Sequence, residues 1–322
     1  MKFYAEIDTT ITDLTIFIGT SMKTLITIIL FTSLASRSVN AGAPTIKITK
    51  EWREEIMELA PAKPTAAPKA KRKVLLFSLE TGYKHWVNPH TAIMIKTLAE
   101  KSKAFDVVES NDIQVFSPNR IKDFDALIFN NTCSDRKHRN IFLDVLGAEK
   151  AEEATALEDS LLSFVADGGG FVAIHGAITT FNSSKKFGEM LGGSFDFHPP
   201  QQEVSVQLVD PDHKLVQAFK GKPFTHIDEP YLFKGAYKDK NFRPLLKMDT
   251  SKLNCGKNRK QVTSDIRYIA WIKKHDKGRV FFVSPSHNAQ SFSNPDLLQF
   301  YLDGIQYALG DLDCDDSPIG NQ

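Results

Sequence analysis

Residues 168–177, Gly-Gly-Gly-Phe-Val-Ala-Ile-His-Gly-Ala, decide the fold of this chain. Their central run, 171–174, is short, apolar and uninterrupted, which is typical of a strand buried on both faces of a parallel sheet. The three glycines precede the run, whereas a phosphate-binding glycine loop follows its strand, so they predict a tight turn. His175 comes directly after the run and therefore lies at the carboxyl end of the predicted strand.

Strands and helices alternate on both sides of this stretch. Apolar residues spaced at helical intervals predict a helix over 152–167 that ends at the glycines. The other predicted elements are strands at 74–79, 105–108 and 126–129, a hairpin-joined pair at 268–272 and 279–283, and helices that begin at Asn88 and Asn294. This alternation predicts an α/β fold with a doubly wound, mainly parallel sheet, whose ligands bind beyond the carboxyl ends of the strands.

The composition restricts the possible classes of protein. Of the 322 residues, 42% are hydrophobic and 25% charged, which is ordinary for a globular chain with a large core. Forty Lys and Arg against 39 Asp and Glu leave a net charge of +1, which argues against a nucleic-acid partner bound through a basic surface. The cysteines Cys133, Cys255 and Cys314 are too far apart to form a CxxC metal clip or a disulfide framework.

The first 41 residues have the pattern of a secretory signal peptide. A lysine follows Met22, the next twelve residues are almost all apolar or small, and Val-Asn-Ala precedes the expected cleavage after Ala41. The acidic residues before Met22 suit a signal peptide poorly, so Met22 is a candidate for the true start. An alternative joins 14–35 into one membrane anchor, but Lys23 would then lie mid-span at a cost of about 2.5–3.5 kcal/mol. We therefore predict export to the periplasm or the medium, without stable membrane insertion after cleavage.

The segment 42–72 is rich in proline, alanine and lysine. Residues 51–59 could form a short helix, and Pro61, Pro64 and Pro68 predict an extended, exposed spacer. The folded domain is predicted to span 73–312 as a single unit, followed by a tail over 313–322.

Histidines and carboxylates cluster where the predicted strands end. Imidazole can bind a metal or exchange a proton near neutral pH. A carboxylate in an apolar stretch is costly unless it binds a cation, a histidine or a hydrogen-bonding ligand. The residues in question are His85, His175, His198, His287, Asp228 and Glu229.

Nucleophilic acyl transfer is not expected. A glutaminase on this architecture needs a thiolate at a strand-to-helix elbow, and the elbow after 171–174 carries His175 instead. Cys133 follows another predicted strand without a neighbouring glycine that would permit a strained turn, and the chain contains no Gly-x-Ser-x-Gly motif.

The motifs, in chain order, are 168–177, Gly192-Gly193-Ser194-Phe195-x-x-His198-Pro199, Asp228-Glu229-Pro230-Tyr231, Ala270-Trp271-x5-Lys277-Gly278-Arg279-Val280-Phe281-Phe282, and His287. This series resembles the ThuA-like (trehalose-utilisation) family over roughly 73–310. The resemblance implies a flavodoxin-like variant of the class I glutamine amidotransferase fold that lacks the nucleophile. On this analogy His175 occupies the elbow, His287 lies near the amidotransferase histidine, and His85 corresponds to a histidine in the family's first loop. Pro230 departs from the family's Asp-Glu-[Leu/Ile]-Tyr pattern and removes a backbone donor.

The resemblance also implies a role in disaccharide use, in particular with 3-keto sugars beside an oxidoreductase. Our first hypothesis is an enzyme, a lyase, isomerase or hydrolase, in which a C3 carbonyl acidifies the neighbouring C–H and one base starts the reaction. His175 or Glu229 would be the base and His287 its partner acid. A divalent metal could polarise the carbonyl. The predicted residues are His175, Glu229, His287 and His198 for catalysis, His85, Trp86, Asp228, Tyr231 and Trp271 for sugar binding, and His175, His287 and Glu229 for the metal.

Two other hypotheses remain open. The chain could be a carbohydrate-binding protein that kept the scaffold without catalysis, in which case the histidines serve only as hydrogen-bond partners. It could also be a structural or partner-interaction domain, which predicts a histidine cluster tolerant of substitution. The sequence leaves the sugar, the reaction step and the oligomeric state undetermined.

Overall fold

The computed structural model describes residues 43–251, 253–256, 262 and 266–319. The predicted signal peptide therefore lies outside the described residues. Within them the α-helices are α1 (Lys50–Leu59), α2 (Asn88–Ser102), α3 (Pro118–Ile121), α4 (Ile141–Leu146), α5 (Ala151–Ala166), α6 (Lys185–Leu191) and α7 (Pro295–Ala308). The strands are β1 (Lys73–Phe77), β2 (Asp106–Glu109), β3 (Ala126–Asn130), β4 (Gly170–Ile174), β5 (Ser194–Phe197), β6 (Gln202–Leu208), β7 (Phe224–Asp228), β8 (Leu232–Lys234), β9 (Arg243–Asp249), β10 (Ile266–His275) and β11 (Gly278–Val283).

The central sheet begins with five parallel strands in the order β2-β1-β3-β4-β11. This is the 2-1-3-4-5 order of flavodoxin-like proteins, with β11 as the fifth strand. Every residue of β3 and β4 is buried, because these strands lie in the middle of the sheet. The predicted doubly wound α/β fold in a single domain is thus confirmed.

An antiparallel extension, β10-β9-β6-β7, continues the same sheet. The predicted hairpin of β10 and β11 is confirmed, with Trp271 paired to Phe282. β6 and β7 escaped prediction because exposed residues interrupt them, and β9 because its apolar run is only three residues long and begins with a proline. A separate two-stranded sheet joins β5 and β8.

The segment before β1 contains the short helix that the sequence suggested, and the proline stretch after it is largely exposed but attached to the domain. Trp52 and Ile56 of α1 are buried in the hydrophobic core. The proline-containing stretch then contacts α7, where Thr65 Oγ1 donates to Asp303 Oδ1 at 2.6 Å. Its end is anchored by Arg72, which pairs with the fully buried Asp311 carboxylate at 2.6 Å. Proline keeps this segment out of helices and strands but does not prevent it from packing.

The predicted tail is also attached to the domain. Tyr307 donates its hydroxyl to Asp316 at 3.0 Å, and the amide of Ile319 donates to the carbonyl of Phe242 at 3.3 Å. In the part of the chain that the structure describes, no helix has the length and apolar character needed to cross a membrane.

We expect Arg72→Ala to lower the free energy of unfolding by about 2–3 kcal/mol, because it leaves the Asp311 carboxylate buried without its partner. The adjacent Lys71 is a matched control, since it pairs with Asp106 on the surface and its side chain is 88% exposed. Lys71→Ala should cost less than about 1 kcal/mol. Denaturant unfolding of both variants measures the difference, and equal losses would contradict an anchoring role for Arg72.

Candidate functional site

The first component of the site is the elbow after β4. His175 has a left-handed backbone, with φ of 45°, and opens a 3-10 helix over His175–Thr179. Its side chain is fully buried, and Nδ1 lies 2.8 Å from the carbonyl oxygen of Ser284. Ser284 follows β11, the strand that pairs with β4, so the parallel register places the carbonyl beside the ring. Because a carbonyl only accepts, Nδ1 carries the hydrogen.

Asp228 holds two further parts of the site together. Its Oδ1 accepts the backbone amide of Glu229 at 2.8 Å and that of His287 at 3.2 Å. Burial raises the pKa of the Asp228 carboxyl well above its ordinary value, and these amide hydrogen bonds offset the effect only in part. Asp228, predicted to bind substrate, instead joins the end of β7 to the loop after β11.

Glu229 lies at the centre of the site. Its Oε1 is 3.4 Å from His287 Nε2, and its Oε2 is 3.5 Å from His175 Nε2 and 3.8 Å from His198 Nε2. Burial alone would raise its pKa, but the interaction with His175, followed by the charge interactions with His287 and His198, lowers the pKa of Glu229 to about 2. The carboxylate is therefore ionised at neutral pH.

Burial disfavours the charged form of the two inner imidazoles. Burial lowers the pKa of His175, and Glu229 offsets this only in part. Burial, followed by repulsion from His175, lowers the pKa of His287 to about 3. The ring centroids of these two histidines are 5.3 Å apart, so the structure brings together the residues that the sequence placed after β4 and β11.

His85 reaches the cluster from the loop after β1. Glu80 orients it by accepting the backbone amide of His85 and by lying 3.3 Å from its Nδ1. A side chain on Gly176 would meet His85 Cε1 at 2.5 Å, so glycine after the elbow is what admits the ring. Together, ring nitrogens of His85, His175 and His287 lie within 4.8 Å of one another and form a group able to hold a metal ion. His85 thus joins the predicted ligands His175, His287 and Glu229.

A cleft of about 480 Å³ opens beside this cluster. Among the residues that line it, Glu229, His198 and His85 carry the chemistry, whereas His175 and His287 lie behind them. The other lining residues are Tyr83, Cys133, Ser134, Asp135, Arg136, Arg139, Thr179, Asn182, Phe195, Asp196, Phe197 and Tyr231. A ligand in the cleft can therefore contact Glu229 and His198, whereas His175 and His287 do not line it.

The aromatic wall of the cleft differs from the predicted one. Tyr231 is confirmed close to the histidines, with its ring centroid 4.0 Å from that of His175. Neither Trp86 nor Trp271, which the sequence suggested for sugar binding, lines the cleft. Trp271 is fully buried, with Nε1 donating to Leu191 O at 2.7 Å, and Trp86 packs against the core.

Sequence reasoning missed three residues that complete the site. Tyr83 stands at the mouth of the cleft with 58% of its surface exposed. Glu80 orients His85, and the side-chain amide of Gln201 lies 2.8 Å from His287 Nδ1. Glu80 and Tyr83 could have been found from their position in the loop that carries His85. Gln201 had no such signal, because it lies 86 residues from its partner.

The similarity of this chain to known proteins agrees with the fold and with the position of the site. Residues 73–308 match the ThuA family model, described as trehalose utilisation. The chain belongs to the ThuA family. Membership connects it with a carbohydrate-related function at the level of the family. A search of curated proteins found no match.

Two solved ThuA-like proteins support the fold. The chain is similar to one from Bacteroides uniformis ATCC 8492, with 18% identity and a TM-score of 0.58 over 77% of this chain and 94% of the other. It is also similar to one from Parabacteroides merdae ATCC 43184, with 18% identity and a TM-score of 0.53 over 74% of this chain and 90% of the other. At this identity the likeness concerns the fold alone.

We expect the unfolding free energy of Asp228→Asn to change little near pH 4, because the amide replaces a carboxyl that is protonated in the folded state. Asp228→Ala should lose about 2–3 kcal/mol, since it removes the acceptor of two buried amides. The folded pKa is raised, so wild-type stability falls as the pH rises above about 4 toward that pKa. The asparagine variant lacks this loss. Denaturant unfolding from pH 4 to 8 measures it, and parallel curves would refute the raised pKa.

Proposed function

We propose that this ThuA-family protein is an enzyme that transfers a proton on an oxidised disaccharide, a 3-keto glycoside, bound in the cleft. The observation that carries the proposal is the arrangement around Glu229: an ionised carboxylate on the cleft wall with three imidazole Nε2 atoms within 3.8 Å. Buried charge in contact with several titratable rings is typical of proton-transfer sites.

The chemistry requires only one base. A carbonyl at C3 acidifies the hydrogen on C2; a base removes that proton, and the electron pair moves to the carbonyl oxygen as an enolate. The enolate can expel the glycosidic oxygen from C1, which takes up a proton, or it can be reprotonated to give an isomer. Neither course needs the two opposed carboxylates of a glycosidase.

His198 is the base in this proposal. Its Nδ1 lies 2.8 Å from the carbonyl oxygen of Pro199 and donates to it, so Nε2 is the ring atom that would accept the proton. The side chain is 29% exposed and lines the cleft. Glu229, 3.8 Å from His198 Nε2, stabilises the imidazolium that forms. His175 and His287, behind Glu229, act as positioning residues rather than as base and acid.

Location and partnership belong to the same proposal. The signal-peptide pattern of residues 1–41 supports export, where the protein would meet sugars outside the cytoplasm. A 3-keto sugar is formed by oxidation of a hydroxyl group, so the substrate must come from a sugar oxidoreductase.

Non-catalytic sugar binding is the second candidate function. It is favoured by the elbow itself, where His175 stands in the position of an amidotransferase nucleophile and is fully buried. Under this alternative the cleft binds the sugar, and no variant of the histidines changes a reaction rate.

We expect His198→Asn to lower turnover of a 3-keto disaccharide by about 100-fold or more, because it removes the base, and Glu229→Gln to lower it by a comparable factor. His275→Asn is the control, since His275 ends β10 at the hairpin, at the opposite edge of the sheet from the cleft. Mass spectrometry of plain and 3-keto disaccharides incubated with each variant measures turnover. Sugar binding without any wild-type turnover would establish the non-catalytic alternative.

Tyr83 should contact the sugar ring. We expect Tyr83→Ala to raise KM by roughly 3- to 10-fold through the loss of an exposed aromatic surface, while Tyr83→Phe keeps KM near the wild-type value. Trp86→Phe serves as the comparison, because Trp86 lies outside the cleft. Steady-state kinetics distinguish the three variants, and a larger effect at Trp86 than at Tyr83 would place the sugar elsewhere.

A further inference from the structure

We propose that His85, His175, His287 and Glu229 bind one divalent transition-metal ion, for which zinc is the matching probe. This inference deepens the proposed function, because the ion would act on the same substrate, but metal binding itself can be measured without turnover. Three imidazoles and one carboxylate form a ligand set suited to zinc and related ions.

The direction of the hydrogen bond at His175 supports a metal ion at this position. His175 uses Nδ1–H to donate to Ser284 O, so its neutral ring presents a lone pair on Nε2. This Nε2 is buried and makes no hydrogen bond, yet it lies 3.5 Å from a carboxylate oxygen of Glu229. Two buried acceptors that face each other are unfavourable unless a positive charge, either a proton on Nε2 or a metal ion, lies between them. A metal ion supplies that charge and binds both atoms.

Of the other two imidazoles, His85 follows the same pattern and His287 differs from it. His85 donates from Nδ1 to the Glu80 carboxylate, an arrangement that commonly supports a metal-bound histidine. The side-chain NH2 of Gln201 lies 2.8 Å from His287 Nδ1 and donates to it, so binding of an ion through Nε2 requires the ring hydrogen to move to Nδ1 and the Gln201 amide to turn its oxygen toward it. The Nε2 of His287 is buried and, like that of His175, makes no hydrogen bond. Outer partners therefore hold the rings of His175 and His85 with Nε2 directed at the site.

The distances agree with one shared ion. Zinc bonds of about 2.0–2.2 Å in a tetrahedron place neighbouring ligand atoms roughly 3.3–3.6 Å apart. Glu229 Oε1 is 3.4 Å from His287 Nε2, and Glu229 Oε2 is 3.5 Å from His175 Nε2. His85 is the most distant ligand, within the 4.8 Å that encloses the ring nitrogens. His85 and Glu229 also line the cleft, so the ion would be within reach of a sugar.

The ion and His198 would have separate roles in the reaction. A divalent metal polarises a carbonyl oxygen as a Lewis acid and stabilises the enolate that forms. His198, which is not among the four ligands, then remains the proton acceptor.

The test is zinc binding to the untagged full chain after treatment with a chelator. Isothermal titration calorimetry should give one zinc per chain, and zinc should raise the midpoint of thermal unfolding. The paired variants His175→Asn and Glu229→Gln should weaken zinc binding by at least about 100-fold. Glu80→Gln, which leaves all four ligands in place, should weaken it by about 10- to 100-fold. His275→Asn should bind as the wild type does.

Circular dichroism of each variant checks folding, and Glu80→Gln keeps the test valid if a ligand variant fails to fold. Absence of zinc binding, or wild-type affinity in both ligand variants, overturns the metal centre. The result for metal binding can be distinguished from the result for the proposed function. Zinc binding without sugar turnover supports the metal centre and refutes the enzyme, whereas full turnover after complete metal removal overturns the metal's role and leaves proton transfer by His198 intact.

Discussion

The site depends on one constraint: a neutral imidazole has a single hydrogen to donate. In His175, His85 and His198 that hydrogen is on Nδ1, because the neighbours of Nδ1 are a carbonyl, a carboxylate and a carbonyl. Each Nε2 therefore presents a lone pair. Two of these atoms, those of His175 and His198, lie within 3.8 Å of Glu229, an anion. The result is a cluster of acceptors around a negative charge, which is suited to bind a proton or a cation.

The fold creates this cluster through strand order. Because β4 and β11 are parallel neighbours, their carboxyl ends deliver His175 and the Ser284 carbonyl to the same edge of the sheet. The left-handed backbone at His175 turns its ring inward, where an amidotransferase-like fold would carry its nucleophile. Asp228 then joins the antiparallel half of the sheet to the loop of His287 and so brings Glu229 into place.

Much of this could be predicted from sequence, because the central strands are continuous apolar runs and their ends are easy to locate. The convergence of His175 and His287 followed from that, and the structure confirms it. The features that were not predicted depend on tertiary packing, which the sequence pattern does not show. Trp271 has an aromatic side chain suited to sugar stacking, but the side chain is buried and its indole N–H donates to the carbonyl of Leu191. The proline-rich segment lacked apolar periodicity, and polar contacts to α7, such as that of Thr65, nevertheless hold it to the domain.

The central claim is the orientation of the imidazoles, and long-range ¹H–¹⁵N correlation of the histidine side chains by NMR tests it most directly. At neutral pH in the absence of metal, the account predicts that His175 is neutral with its hydrogen on Nδ1 and an unprotonated Nε2. On addition of zinc, the Nε2 resonance should shift while Nδ1 remains protonated. A hydrogen found on Nε2 of His175, either as the other tautomer or as an imidazolium, would contradict the account.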